Sequence, residues 1–195
     1  MSGRLDRTFF ARDPRDVGPD LLGMSLVHDR PGDRRVGRIV EVEAYCGDQD
    51  AAAHTFRGRT PRNETMFGPG GLLYVYFSYG VHWCANVVCG AEGHGVAVLI
   101  RALAPIEGVD AMYVSRGAPA RRDRDLCSGP GKLTQAMAID GAHDGVDLTA
   151  DEHLYVVDDE APVGSIVQTT RVGISVAVDE PWRWYLDGDP NVSRR

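Results

Sequence analysis

Lysine is nearly missing from this 195-residue chain. Lys132 stands alone against 20 arginines, so chemistry through a side-chain amine has one candidate. No apolar run approaches the ~20 residues that a membrane helix needs. Met1 to Phe10 holds no apolar stretch of signal-peptide length. The expected location is the cytoplasm, beside the nucleoid in a prokaryote, with no membrane contact. The cysteines are few: Cys46, Cys84, Cys89 and Cys127. None forms a C-x-x-C pair, which removes the usual zinc and iron–sulfur spacings. Without a secretory signal a disulfide framework is not expected either, and all four read as buried or partly buried free thiols.

Other motifs fail as well. The run GPGKLT at 129–134 has Leu133 where a phosphate loop needs Ser or Thr, and no glycine five places before Gly131. Gly90, Gly93 and Gly95 have the wrong spacing for a dinucleotide fingerprint. There is no metalloprotease His pair, no G-x-S-x-G elbow and no internal repeat. Neither a metal nor a cofactor is expected.

What is present is ordinary in bulk: 43% hydrophobic and 25% charged residues, at a length that suits one domain spanning 1–195. The net charge of −7 looks wrong for a nucleic-acid partner, but it is unevenly spread. Residues 1–132 carry 17 basic and 16 acidic side chains, and residues 133–195 carry 4 and 12. A locally basic face is therefore compatible with an acidic C-terminal third.

Periodicity places strands at 36–45, at 72–79 and 81–89 with a hairpin tip between, at 96–104, and again at 163–178. Helical signals fall near 20–22, at 106–115 and at 131–139. Residues 47–71, rich in Gly, Pro, Arg and Asn, read as a long ordered loop, of a kind often functional. Strands and helices out of βαβ alternation indicate an α+β fold.

Three oddities stand out. Alternation puts Ile39, Glu41, Glu43 and Tyr45 on one strand face, two carboxylates beside a flat ring. Tyr74, Tyr76 and Tyr79 crowd the hairpin, with Tyr79 at its tip, and His82 and Asn86 share a face of the return strand. The loop holds Arg57, Arg59, Thr60, Arg62 and Asn63, groups suited to phosphates. An enzyme that pulls a base from a duplex and acts on it needs such parts. The residues alone also admit a lesion-binding protein without catalysis, and a sugar-cleaving hydrolase that pairs Glu41 with Glu43.

The ordered series GRIVEVEAYCG, AAAH, RTPRN, MFG, LLYVYFSYGVHWCANVV, VLIRAL and LCSGPGKL, covering about residues 5–192, closely resembles the alkyladenine (3-methyladenine) DNA glycosylase family. The resemblance implies a single α+β domain with a curved, mainly antiparallel sheet, flanking helices and a protruding hairpin. It implies a monomer on damaged double-stranded DNA that hydrolyses the N-glycosidic bond of alkylated or deaminated purines. By position in the motifs, Glu43 is the implied general base and Arg101 its helper. Tyr45, His54, Tyr76 and Asn86 form the implied base pocket, with Asn86 set against the amine of guanine. Tyr79 is the implied intercalating residue, and Val81 and His82 line the minor groove; Val81 stands where some members carry methionine. Arg59, Thr60, Lys132 and Gly173 are the implied phosphate contacts.

Overall fold

The computed structural model describes residues 3–78 and 80–194. Its strands are β1 (Gly3–Arg4), β2 (Ser25–Arg30), β3 (Asp33–Tyr45), β4 (Leu73–Ser78), β5 (His82–Cys89), β6 (Val96–Glu107), β7 (Leu154–Asp158), β8 (Ile166–Thr169) and β9 (Arg183–Leu186). The helices are α1 (Arg7–Phe10), α2 (Pro14–Leu21), α3 (Val109–Arg116), α4 (Arg124–Cys127) and α5 (Pro130–Ala136). The fold is α+β, as the pattern implied. One curved sheet runs β1-β7-β2-β3-β6-β5-β4, with β9 on β3 and β8 on β9, and all these pairings are antiparallel.

β3 organises the sheet. One edge pairs with β6 along most of its length; the other pairs with β2 over residues 33–38 and with β9 over Glu41–Glu43. The register with β6 breaks three times, once at Val36/Gly37 and twice beside the buried acids. From Ile39 to Glu41 the partner moves only from Leu103 to Ala102, so Val40 is an extra residue on β3. From Glu41 to Val42 it jumps from Ala102 to Ile100, so Arg101 is an extra residue on β6. The two bulges cancel in register, and bulges re-aim side chains. Ile39 joins the apolar core with Val40, Val42 and Ala44, while Glu41 and Glu43 face polar partners. The expected one-sided row from Ile39 to Tyr45 is thus broken by the first bulge.

The core lies against this strand. In α2, Asp13 caps the helix by accepting the Arg15 N–H, Pro14 opens it without needing a donor, and Val17 and Leu21 are fully buried. Each buried side chain of this kind contributes about 1.5–3 kcal/mol. Gly18 lets the helix lie close to Trp184, whose ring a Cβ there would meet at 3.2 Å. α5 braces β5, with Thr134 Oγ1 donating to the Trp83 carbonyl at 3.0 Å. Gly131 in its first turn sits against His82, only 2.5 Å from where a Cβ would be.

Two expectations need correction. The strand expected at 163–178 exists only over Ile166–Thr169, because β9 offers just four residues to pair with. The helical signals at 106–115 and 131–139 begin late and end early, respectively: β6 continues to Glu107, and α5 stops at Ala136. The four cysteines are buried free thiols. Among the described residues no helix is long and apolar enough to cross a membrane.

Candidate active site

Glu43 sits in the middle of the sheet, between Leu99 on β6 and Arg183 on β9, with no exposed surface. Its Oε1 accepts the backbone N–H of Val172 at 2.7 Å. Its Oε2 accepts the Tyr45 hydroxyl at 3.0 Å and Arg101 Nη1 at 3.1 Å. Burial raises the carboxyl above its ordinary value, against the pull of Arg101, the Val172 amide and the Tyr45 hydroxyl. Arg101 also donates from Nε to Glu41 Oε1 at 3.1 Å, so one bulged guanidinium serves two buried acids. Burial works against its charge, but Glu43 and Glu41 outweigh that and hold it above its ordinary value. Glu41 is saturated: Arg183 Nε donates to Oε1 at 2.7 Å and the Ser193 N–H to Oε2 at 2.7 Å.

In front of this acid lies a cavity of about 560 Å³. Tyr45, Arg101 and Val172, all three of the groups that grip Glu43, line it, together with His54, Tyr76 and Asn86. Tyr74 and Tyr76 stack at 5.5 Å, and the His54 ring stands edge-on to Tyr76 at 4.4 Å. The protein around the His54 ring, with Arg62 beside it, lowers its pKa from the ordinary value, although the residue keeps an exposed edge. Burial raises the Tyr45 hydroxyl well above its ordinary value, so it remains a donor to Glu43. Asn86 Nδ2 donates to the Tyr74 carbonyl at 3.2 Å, which fixes its amide at the cavity wall. Buried Asn63 closes the loop behind His54: Nδ2 donates to the carbonyls of His54 and Gly58, and Oδ1 accepts the Thr60 N–H.

The family model described as methylpurine-DNA glycosylase matches residues 8–190. The chain belongs to that family. Its enzyme class is that of a DNA glycosylase. Relatives called "Putative 3-methyladenine DNA glycosylase" include one from Burkholderia lata, 56% identical over 97% of this chain and 90% of its own. Another, from Carboxydothermus hydrogenoformans, is 49% identical over 98% and 99%. A third, from Agrobacterium fabrum, is 48% identical over 100% and 95%.

Within this glycosylase fold, ten of the residues singled out in the sequence gather at one place: Glu43 behind the cavity wall, and Tyr45, His54, Arg62, Tyr74, Tyr76, His82, Asn86, Arg101 and Gly173 on it. His82 also lines a second concavity with Val81, Arg116 and Lys132. Val81 is 73% exposed on the hairpin turn, where Gly80 takes a positive φ of 68°. Lys132 Nζ donates to Ser128 Oγ at 3.1 Å, outside the main cavity. Arg59 and Thr60 are exposed on the loop; Arg59 pairs with Glu64 at 3.1 Å and lies over the Phe67 ring. Tyr79 lies outside the described residues. Among those described, no group of three or more His, Cys, Asp or Glu could hold a metal ion.

Several groups that hold the buried acids have no sequence signature. The Val172 and Ser193 N–H groups are backbone donors with no residue-type signature. Arg171 and Arg183 stand out in the sequence as two of only four basic residues in an acidic third, and both are buried against acids.

Proposed function

We propose that this chain extrudes a damaged purine from duplex DNA and hydrolyses its N-glycosidic bond, leaving an abasic site. The leading substrate is 3-methyladenine, with hypoxanthine and ethenoadenine as further candidates. The observation that carries this reading is the placement of Glu43, a buried carboxylate directly behind the wall of a cavity faced with Tyr45, Tyr76, His54 and Asn86. The cavity's volume falls in the range of small-molecule sites, about 300–1,000 Å³.

Extruding a base costs a few kcal/mol, less for a damaged pair. Stacking on Tyr45 and Tyr76 returns about 1–3 kcal/mol per base. Tyr79 fills the gap left in the duplex, with Val81 and His82 following along the minor groove. Arg59, Thr60, Lys132 and Gly173 hold phosphates on either side. At the sugar the transition state is oxocarbenium-like. Water entering from the cavity donates to Glu43, whose Oε1 accepts only the Val172 N–H among the described residues. The water oxygen bonds to C1′, its proton passes to Glu43, and the electron pair of the breaking C1′–N bond leaves with the purine. A cationic base such as 3-methyladenine departs neutral, whereas hypoxanthine, neutral as it stacks, takes up a proton as the C1′–N bond breaks and also departs neutral. Asn86, its amide anchored on Tyr74, meets the edge where guanine carries its amine.

The sugar-hydrolase alternative loses its second acid. Of the groups that hold Glu41, only Arg101 lines the cavity and Arg183 and Ser193 do not, whereas all three groups that hold Glu43 line it. The single lysine, Lys132, lies outside the cavity, which supports a hydrolytic route over a Schiff base through a lysine. Borohydride treatment during turnover is expected to trap no covalent DNA adduct; an adduct abolished by Lys132→Ala contradicts the hydrolytic route.

The pH profile follows from Glu43. Only the ionised form accepts a proton, and its pKa is raised. Base release in single turnover is therefore lost as pH falls through a value above the ordinary 4.5 of a glutamate. A rate still at its plateau at pH 4 speaks against Glu43 as the base. The direct test of substrate is a release assay on duplexes carrying 3-methyladenine, hypoxanthine or ethenoadenine, with the product identified by chromatography. Free purine and an intact abasic strand are expected; failure to release any of the three defeats the proposal.

A further inference from the structure

The mechanism leaves one fully buried ion pair without a task. The side chains of Asp50 and Arg171 have no exposed surface, and neither lines the cavity. Arg171 Nη1 donates to Asp50 Oδ2 at 2.5 Å and to the Ala44 carbonyl at 3.0 Å, and Nη2 donates to Asp50 Oδ1 at 2.8 Å. Asp50 in turn accepts the N–H groups of Cys46 and Ala52 at 3.2 and 3.0 Å. The pair thus ties the end of β3 and the turn after it to the segment that crosses Glu43. The Arg171 guanidinium lies 4.8 Å from the Tyr45 ring centre and 5.0 Å from that of Trp182. Tyr45 lines the cavity and Arg171 does not, so the cation covers the ring face turned away from it. The residue after Arg171 is Val172, whose N–H holds Glu43. A buried pair often adds no more stability than a well-packed apolar pair, so stability alone is a weak reason for it.

We propose that Asp50 and Arg171 are positioning residues: Arg171 backs the Tyr45 ring and seats the Val172 N–H on Glu43, and Asp50 cancels the positive charge that Arg171 otherwise places beneath a stacked cationic base. This rests on the function proposed above. An unneutralised guanidinium behind the ring repels a cationic purine and leaves a neutral one unaffected.

The test compares single-turnover release of 3-methyladenine, which is cationic, and hypoxanthine, which is neutral, by the wild type, Asp50→Asn and Arg171→Lys. Duplex affinity and thermal melting are measured alongside. Asp50→Asn is expected to slow 3-methyladenine release about tenfold more than hypoxanthine release. Arg171→Lys keeps the charge but cannot both lie flat on the ring and reach the Ala44 carbonyl. It is expected to slow both substrates about tenfold. It also moves the acid limb of the rate to higher pH, since a displaced Val172 N–H no longer favours ionised Glu43. A merely structural pair lowers the melting temperature and leaves both the substrate ratio and the acid limb in place. Equal slowing of the two substrates by Asp50→Asn, or an unmoved limb in Arg171→Lys, overturns the proposal. If Asp50→Asn does not fold, the limb in Arg171→Lys decides alone. Failure of the underlying Glu43 reading is seen separately, as normal release by Glu43→Gln in an otherwise wild-type chain.

Discussion

Glu43→Gln is expected to bind damaged duplex as the wild type does and to release base about 10²–10⁴-fold more slowly, the usual contribution of a positioned general base. The substitution preserves shape, and the amide oxygen can still accept the Val172 N–H. Arg101 keeps a charged partner in Glu41, so no cation is left unpaired in the interior. What is lost is the ability to take a proton from water. The stacking surface of Tyr45, Tyr76 and His54 is untouched, and binding follows that surface and the phosphate contacts. The experiment also separates an enzyme from a lesion-binding protein. A protein that only binds shows no release before or after the change. Release by the variant at the wild-type rate removes Glu43 from the reaction and leaves the cavity as a binding site alone.

The parts of this site that could be read beforehand are those carried by side chains on regular strands. Alternation along β3 puts Glu43 and Tyr45 on one face, and their hydrogen bond realises it. The hairpin puts Tyr74 and Tyr76 on one face of β4, and they stack. His54 came only with the family resemblance of AAAH; the loop's composition pointed to its arginines, Thr60 and Asn63 instead. The rest depends on breaks in regularity. Arg101 came only with the family resemblance: it reaches both acids from a bulge, and a bulge has no residue-type signature in the run VLIRAL. The chain beyond β8 leaves its partner, because β9 is short, and turns through Gly173 at φ 79° and Ala177 at φ 48° across Glu43. Its alternating apolar residues read as a strand, while their use is to deliver one backbone N–H. The acidic C-terminal third supplies Arg171 and Arg183 to the fully buried Asp50 and Glu41.

Arg101→Met is expected to cost about 3–5 kcal/mol of stability at neutral pH, the usual result of removing one partner from a buried ionic cluster. Two acids depend on this guanidinium. Glu41 retains Arg183 and the Ser193 N–H, so most of the loss falls on Glu43. Glu43 is left with the Tyr45 hydroxyl and the Val172 N–H, two neutral donors, in a site where burial already disfavours its charge. Its folded-state pKa therefore rises further above the unfolded value. A carboxyl shifted in that direction binds its proton more tightly in the folded state, so protonation at low pH stabilises the fold and ionisation at high pH destabilises it. The deficit relative to wild type should accordingly be smaller at pH 5 than at pH 8 when read from urea midpoints. Base release at pH 7 falls with it, because less of the folded variant carries ionised Glu43, and the acid limb of its rate moves upward. Equal deficits at pH 5 and pH 8 contradict this account, since they mean that Arg101 acts by packing alone and that Glu43 does not feel its charge.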